Sequence, residues 1–216
     1  MCVKEFILES LNSIIDMDNF MDNFSHCSYD NVETNFEISP TDFLTFAEKD
    51  LTAKYDHHLV NSLSNSKRAI DAQLDSLLIG FGLSERSKKW RFPQKIDFLN
   101  KVGVISPRIL TKINKKRNLL EHEYKNPSEE EVEDALDVAI LFINYTNKYL
   151  FQAISDFGFS YGDGEGRYLN ILELDCINSK LIFSCPSLGA EVEIKADEKD
   201  YDEYLRFYLD LYNFIK

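Results

Sequence analysis

From Thr41 to Ile79 the chain contains neither proline nor glycine, and this restricts its fold more than any other feature. Leu51, Leu59, Leu63, Ile70, Leu74 and Leu77 recur at helical spacing within that stretch, and Phe81 continues the pattern just past it. Together these predict one long helix, or two set end to end, between Pro40 and Ile79. The start is marked by Ser39-Pro40. A serine oxygen accepts from free amides at the N-cap, and proline lacks only an N–H that has no helical partner there.

Similar punctuation recurs downstream. Pro93 opens a shorter helix to about Lys101, and Gly103 ends it. Ser106-Pro107 repeats the cap and starts a helix to about Tyr124, which Asn126-Pro127-Ser128 breaks. Ser128 and Glu131 form a capping box, and Val132, Leu136, Ala139, Ile140, Ile143 and Leu150 give the next helix an apolar stripe to about Ile154. Near the start, Val3 to Ile15 reads as a short amphipathic helix and His26 to Glu37 as a polar loop. The first 155 residues are therefore expected to form an all-α bundle with short connections.

The composition then shifts. Phe157 to Gly166 holds four glycines, which read as a hinge, and three alternating segments follow at Tyr168–Leu174, Leu181–Cys185 and Glu191–Lys195. Asn178-Ser179 and Pro186-Ser187-Leu188-Gly189 supply turns between them. The tail places Tyr201, Tyr204, Leu205, Tyr208, Leu209, Tyr212 and Ile215 on one helical face. The expected fold is mainly α: an N-terminal helix and loop over 1–38, an antiparallel helical bundle over 39–157, and an α+β appendage over 158–216 made of a three-stranded antiparallel sheet and a helix.

The chain has no apolar run long enough to span a bilayer, and acids interrupt its opening residues, so it reads as soluble, cytoplasmic and without a membrane partner. Cys2, Cys27, Cys176 and Cys185 show no paired metal-ligand spacing, which favours reduced thiols, with a contact between Cys176 and Cys185 as the alternative. His57 and His58 are adjacent and point to different helix faces, so neither metal nor other cofactor is expected. The glycine-rich segment lacks the lysine and hydroxyl ending of a phosphate loop.

The net charge of −13 is unevenly spread. Arg86 to Arg117 contains eleven Lys or Arg against one acid, Asp97. At its end stands Arg117-Asn118-Leu119-Leu120-Glu121-His122-Glu123-Tyr124. An acidic total argues against a general nucleic-acid coat, but a concentrated basic site suits a phosphodiester. His122 exchanges protons near neutral pH and is the candidate general acid or base. Arg117 is permanently charged, and its planar fork matches phosphate oxygens. Asn118, one turn before His122, can orient the ring or the phosphate, and Tyr124 can bond a phosphate oxygen or the ribose. Arg108, Lys112, Lys115 and Lys116 are the candidate RNA-binding cations. Asp71 is a candidate carboxylate to hold Arg117 or His122 in place, and Glu121 a candidate partner for Arg117.

The pattern Arg-x4-His-x-Tyr, with Asn after the Arg and a helical setting, resembles the signature of the HEPN superfamily. The resemblance covers about residues 40 to 155. It implies a metal-independent endoribonuclease that leaves a 2′,3′-cyclic phosphate, works as a homodimer, and serves in defence or as a toxin. It also implies an antitoxin or nucleotidyltransferase partner, with Tyr124 as a modification site. The alternative is a non-catalytic HEPN module that binds nucleotide, RNA or a protein. On a regular helix Arg117 and His122 lie roughly 140° apart. Convergence therefore needs a distorted helix, a long reach by Arg117, or a second subunit.

Overall fold

The structure, a computed structural model, describes residues 23–105, 126–163 and 166–215. Among these residues are six α-helices and a five-stranded antiparallel sheet, so the fold is α+β. The expectation of a mainly α chain with a three-stranded sheet is corrected by two further strands. The described residues form two compact units, 23–31, 81–86, 152–163 and 166–215 in one, and 32–80, 87–105 and 126–151 in the other.

The helical unit holds α1 (Pro40–Thr52), α2 (His58–Gly80), α4 (Phe92–Lys101) and α5 (Glu129–Thr146); α3 (Ser84–Ser87) is a single turn between α2 and α4. Helix α1 begins in a capping box: the Asp42 N–H donates to Ser39 Oγ at 3.1 Å, and the Ser39 N–H to Asp42 Oδ2 at 2.9 Å. Those bonds from Ser39 hold the Asp42 carboxyl below its ordinary range. Ser128 and Glu131 make the same reciprocal pair at the start of α5.

The stretch without proline or glycine is two helices that fold back on each other instead of running end to end. The break at Ala53–His57 is made by tertiary packing. Ser62 Oγ reaches the Ala47 carbonyl at 2.8 Å, and Asn65 Nδ2 reaches Asp50 Oδ2 at 2.8 Å, which requires α2 to lie alongside α1. Small residues make the approach close, since Ser62, Ser66 and Ala69 are buried on α2 together with Leu63, Ile70, Leu74 and Leu77. Helix α5 ends at Thr146 and a 3₁₀ turn, Asn147–Tyr149, follows it, so the helix stops short of the expected Ile154. Gln73 is buried and donates to Thr146 Oγ1 at 2.9 Å and Asn147 Oδ1 at 3.1 Å.

The sheet runs in chain order: β1 (Phe24–Asp30), β2 (Ala153–Asp163), β3 (Gly166–Asp175), β4 (Lys180–Cys185) and β5 (Ala190–Lys195). Strand β1 stands where a loop is expected. It is an edge strand that exposes most of its side chains, so it carries little apolar signal and is held by backbone pairing to β2. Strand β2 replaces the expected helix tail and hinge. Its Gly158 lies opposite His26, whose ring occupies the space of a side chain; an added Cβ would fall 2.2 Å from the imidazole Cε1.

One face of the sheet carries Phe157, Phe159, Leu172, Leu181, Phe183 and Cys185, all buried. Against it lies α6 (Tyr201–Ile215), whose Tyr208 meets Phe157 edge to face at 4.9 Å while Tyr204 meets Phe183 at 5.5 Å. The Tyr208 hydroxyl donates to the Ile154 carbonyl, and Tyr201 Oη to the Phe81 carbonyl at 2.8 Å. Arg86 grips the buried Asp202 with both guanidinium nitrogens, at 2.5 and 3.1 Å, and also bonds the Ala196 carbonyl. Cys27, Cys176 and Cys185 are free thiols. No helix among the described residues is long and apolar enough to cross a membrane.

Burial raises the Tyr212 hydroxyl to about 12 and pushes Tyr208 well above its usual value. Both are neutral when folded, and an unfolded chain ionises its tyrosines near pH 10. Their contribution to stability is therefore complete below pH 10 and lost as pH rises from there through 12. Thermal melts at rising alkaline pH should show a falling Tm, with tyrosinate absorbance growing together with unfolding. A second expectation concerns Arg86→Ala, which leaves the Asp202 carboxylate buried without its cation. It should cost about 2–3 kcal/mol in urea unfolding, less than for a fully buried pair because Arg86 is partly exposed.

Candidate functional site

The residues that carry the sequence motif, Arg117, Asn118, Glu121, His122 and Tyr124, lie outside the described residues, as do Arg108, Lys112, Lys115 and Lys116. What can be built is their surroundings in the chain. Asp71, the candidate supporting carboxylate, stands on α2 and accepts from Lys95 Nζ of α4 at 2.9 Å. Asp75, one turn further, accepts from the same ammonium at 2.7 Å. Lys95 is buried, while the two aspartates keep 37% and 41% of their side-chain surface.

One cation thus serves two anions. Burial opposes the charge on Lys95, but bonds and charge from Asp71 and Asp75 outweigh it and raise the ammonium above its ordinary value. Burial, with the like charge of Asp71, lifts the Asp75 carboxyl despite its bond to Lys95. Both directions hold because a single ammonium cannot neutralise a pair of carboxylates. Asp71 is therefore engaged in fixing α4 on α2.

The basic stretch also divides. Lys95 is buried against the aspartates, and Arg86 is paired with Asp202 while remaining exposed, as Lys88, Lys89, Arg91 and Lys101 are. Sequence counting treats all of these cations alike, and only packing shows that Lys95 is buried and that Arg86 is paired with Asp202.

Next to the motif in the chain lies a feature that sequence inspection passed over. The corner from Leu51 to Val60, between α1 and α2, and Asn126, Pro127, Glu129 and Glu133 at the start of α5 line an open cleft of about 870 Å³. Its corner is stiffly built. The Tyr55 hydroxyl donates to Asp50 and accepts from Asn61 Nδ2 at 3.2 Å, and the His58 Nδ1 lies 3.1 Å from the Asp50 carbonyl. The rings of Tyr55 and His58 meet edge to face at 6.2 Å, and Tyr55 remains 46% exposed.

His57 turns the corner at φ 69°, a left-handed conformation that costs a non-glycine residue about 1 kcal/mol. Across the cleft, Glu129 and Glu133 are four residues apart and share a face of α5. The only visible sign of this site in the sequence is its pair of adjacent histidines, which have no metal-binding spacing. Among the described residues no group of three or more His, Cys, Asp or Glu is placed to hold a metal ion.

Comparison of the chain with family models, with curated proteins and with solved structures found no match.

If Lys95 is the cation that holds Asp71 and Asp75 together, Lys95→Met keeps the packed stem and leaves two carboxylates repelling. The expected loss is about 1–2 kcal/mol in urea melts, discounted for the exposure of both aspartates. Adding Asp71→Asn and Asp75→Asn to that variant should recover most of it.

Proposed function

We propose that this protein is a metal-independent endoribonuclease of the HEPN type. His122 moves the proton at the 2′-hydroxyl or the leaving 5′-oxygen, and Arg117 stabilises the charge that grows on the phosphate. Asn118 orients the imidazole or the phosphate, and Tyr124 bonds the substrate. The product is a 2′,3′-cyclic phosphate, and a homodimer brings Arg117 to the face of His122. A role in defence or as a toxin, with an antitoxin or nucleotidyltransferase partner acting at Tyr124, belongs to the same proposal.

One observation carries the reading. In the sequence the Arg117–Tyr124 segment lies between α4 and α5, and Asn126 and Pro127, two and three residues beyond it, line a cleft of about 870 Å³. A reactive segment is thus tethered to a place where a substrate can be held. The chemistry is local to the residues: an imidazole that can accept and donate a proton, a guanidinium that stays charged, and flanking lysines for the phosphate backbone.

The cleft also supports a second reading, a non-catalytic module that binds nucleotide, RNA or a protein partner. Catalysis separates the two. Incubating RNA in EDTA with wild type, Arg117→Ala and His122→Ala should give cleavage by the first and a loss of at least about 100-fold in the others. The products should carry cyclic phosphate ends. Equal rates for all three proteins would remove the assigned site, and salt-sensitive RNA binding without any product would favour the module.

A further inference from the structure

The cleft at the α1–α2 corner has two walls of different character. Lys54, Tyr55 and His57 bring a cation, an exposed aromatic ring and an imidazole, while Glu129 and Glu133 bring two carboxylates from the opposite element. The Tyr55 ring is held by the bonds of its hydroxyl to Asp50 and Asn61, so it offers a fixed flat surface at little entropic cost. Glu129 and Glu133 are like charges one helical turn apart, an arrangement that costs a few tenths of a kcal/mol when nothing lies between them. A ligand presenting N–H donors to that pair would relieve it. The volume of about 870 Å³ is within the range of small-ligand sites.

From these groups we infer that the cleft is a base-recognition subsite for guanine in single-stranded RNA. The step rests on the ribonuclease reading and names the part of the substrate that this surface takes. Unpaired RNA bases are bound by stacking on aromatic rings and by hydrogen bonds to their Watson–Crick edges. A carboxylate has only acceptors to offer. Among the four bases, guanine alone has two adjacent donors on that edge, N1–H and the exocyclic amine, and so matches a carboxylate with two parallel bonds. Adenine and cytosine each present one amine beside an acceptor nitrogen, and uracil presents one N–H between two carbonyls. Glu129 or Glu133 reads the edge, Tyr55 stacks on the face, and Lys54 with His57 meets the neighbouring phosphate.

The test titrates the purified full chain with GMP, AMP, CMP and UMP by calorimetry, alongside Glu129→Gln, Glu133→Gln and the double variant. Wild type should bind GMP at least about tenfold more tightly than the other three, the discrimination expected of one bidentate base contact. The double variant should lose that preference while keeping the wild-type circular dichroism and Tm. Indistinguishable affinities for the four nucleotides, or a GMP preference that survives the double substitution, overturn the inference. Cleavage of RNA in EDTA by the same proteins and by His122→Ala keeps the two readings apart. Guanine-selective binding without cleavage sinks the ribonuclease alone. Cleavage that depends on His122 but ignores base identity and the glutamates sinks the subsite alone.

Discussion

The side-chain amide of Gln73 lies inside the helical unit, where it donates to Thr146 and Asn147 at the end of α5. A buried amide that loses its acceptors costs about 1–3 kcal/mol, so α2 and the end of α5 are held in one register. Lys95 does the same for α4, through an ionic but half-solvated contact with Asp71 and Asp75 of α2. Helix α2 is therefore the reference element of its unit. The α1–α2 corner, and with it the cleft, is placed by bonds from Ser62 and Asn65 that originate on it.

These polar clamps change how the charge distribution is read. The basic stretch looks uniform along the chain, yet two of its described members, Arg86 and Lys95, are structural ions whose partners are aspartates. The field that a polyanion would meet is thinner there than residue counting gives. The cleft at the α1–α2 corner carries charge of both signs instead, which suits recognition of a base edge better than general attraction to phosphate.

How far the fold could be read in advance depends on where each element's signal resides. Helix starts were legible because Ser39 with Asp42 and Ser128 with Glu131 are local devices, complete within four residues. The face of α6 was legible because its tyrosines repeat at helical spacing and pack on Phe157 and Phe183. The first strand was not, since an edge strand with exposed side chains is specified by its neighbour's backbone. The second was hidden by glycines, one of which makes room for the His26 ring from the opposite strand. Of the candidate site, the Arg117–Tyr124 motif lies outside the described residues; the engagement of Asp71 by Lys95, and the cleft beside Asn126, were not legible in the sequence.

By itself, then, the sequence determined the helix caps at Ser39 and Ser128 and the apolar stripes, both of which depend on neighbours a few positions away. Tertiary structure alone decided that the long uninterrupted stretch doubles back at Ala53–His57, that the described residues form a sheet of five strands, and that Lys95 is buried. The reason is that each of these outcomes turns on a contact between residues distant in the chain. The Ser62 hydroxyl on the Ala47 carbonyl, the His26 ring over Gly158 and the Lys95 ammonium between two aspartates are such contacts, and no local pattern encodes them.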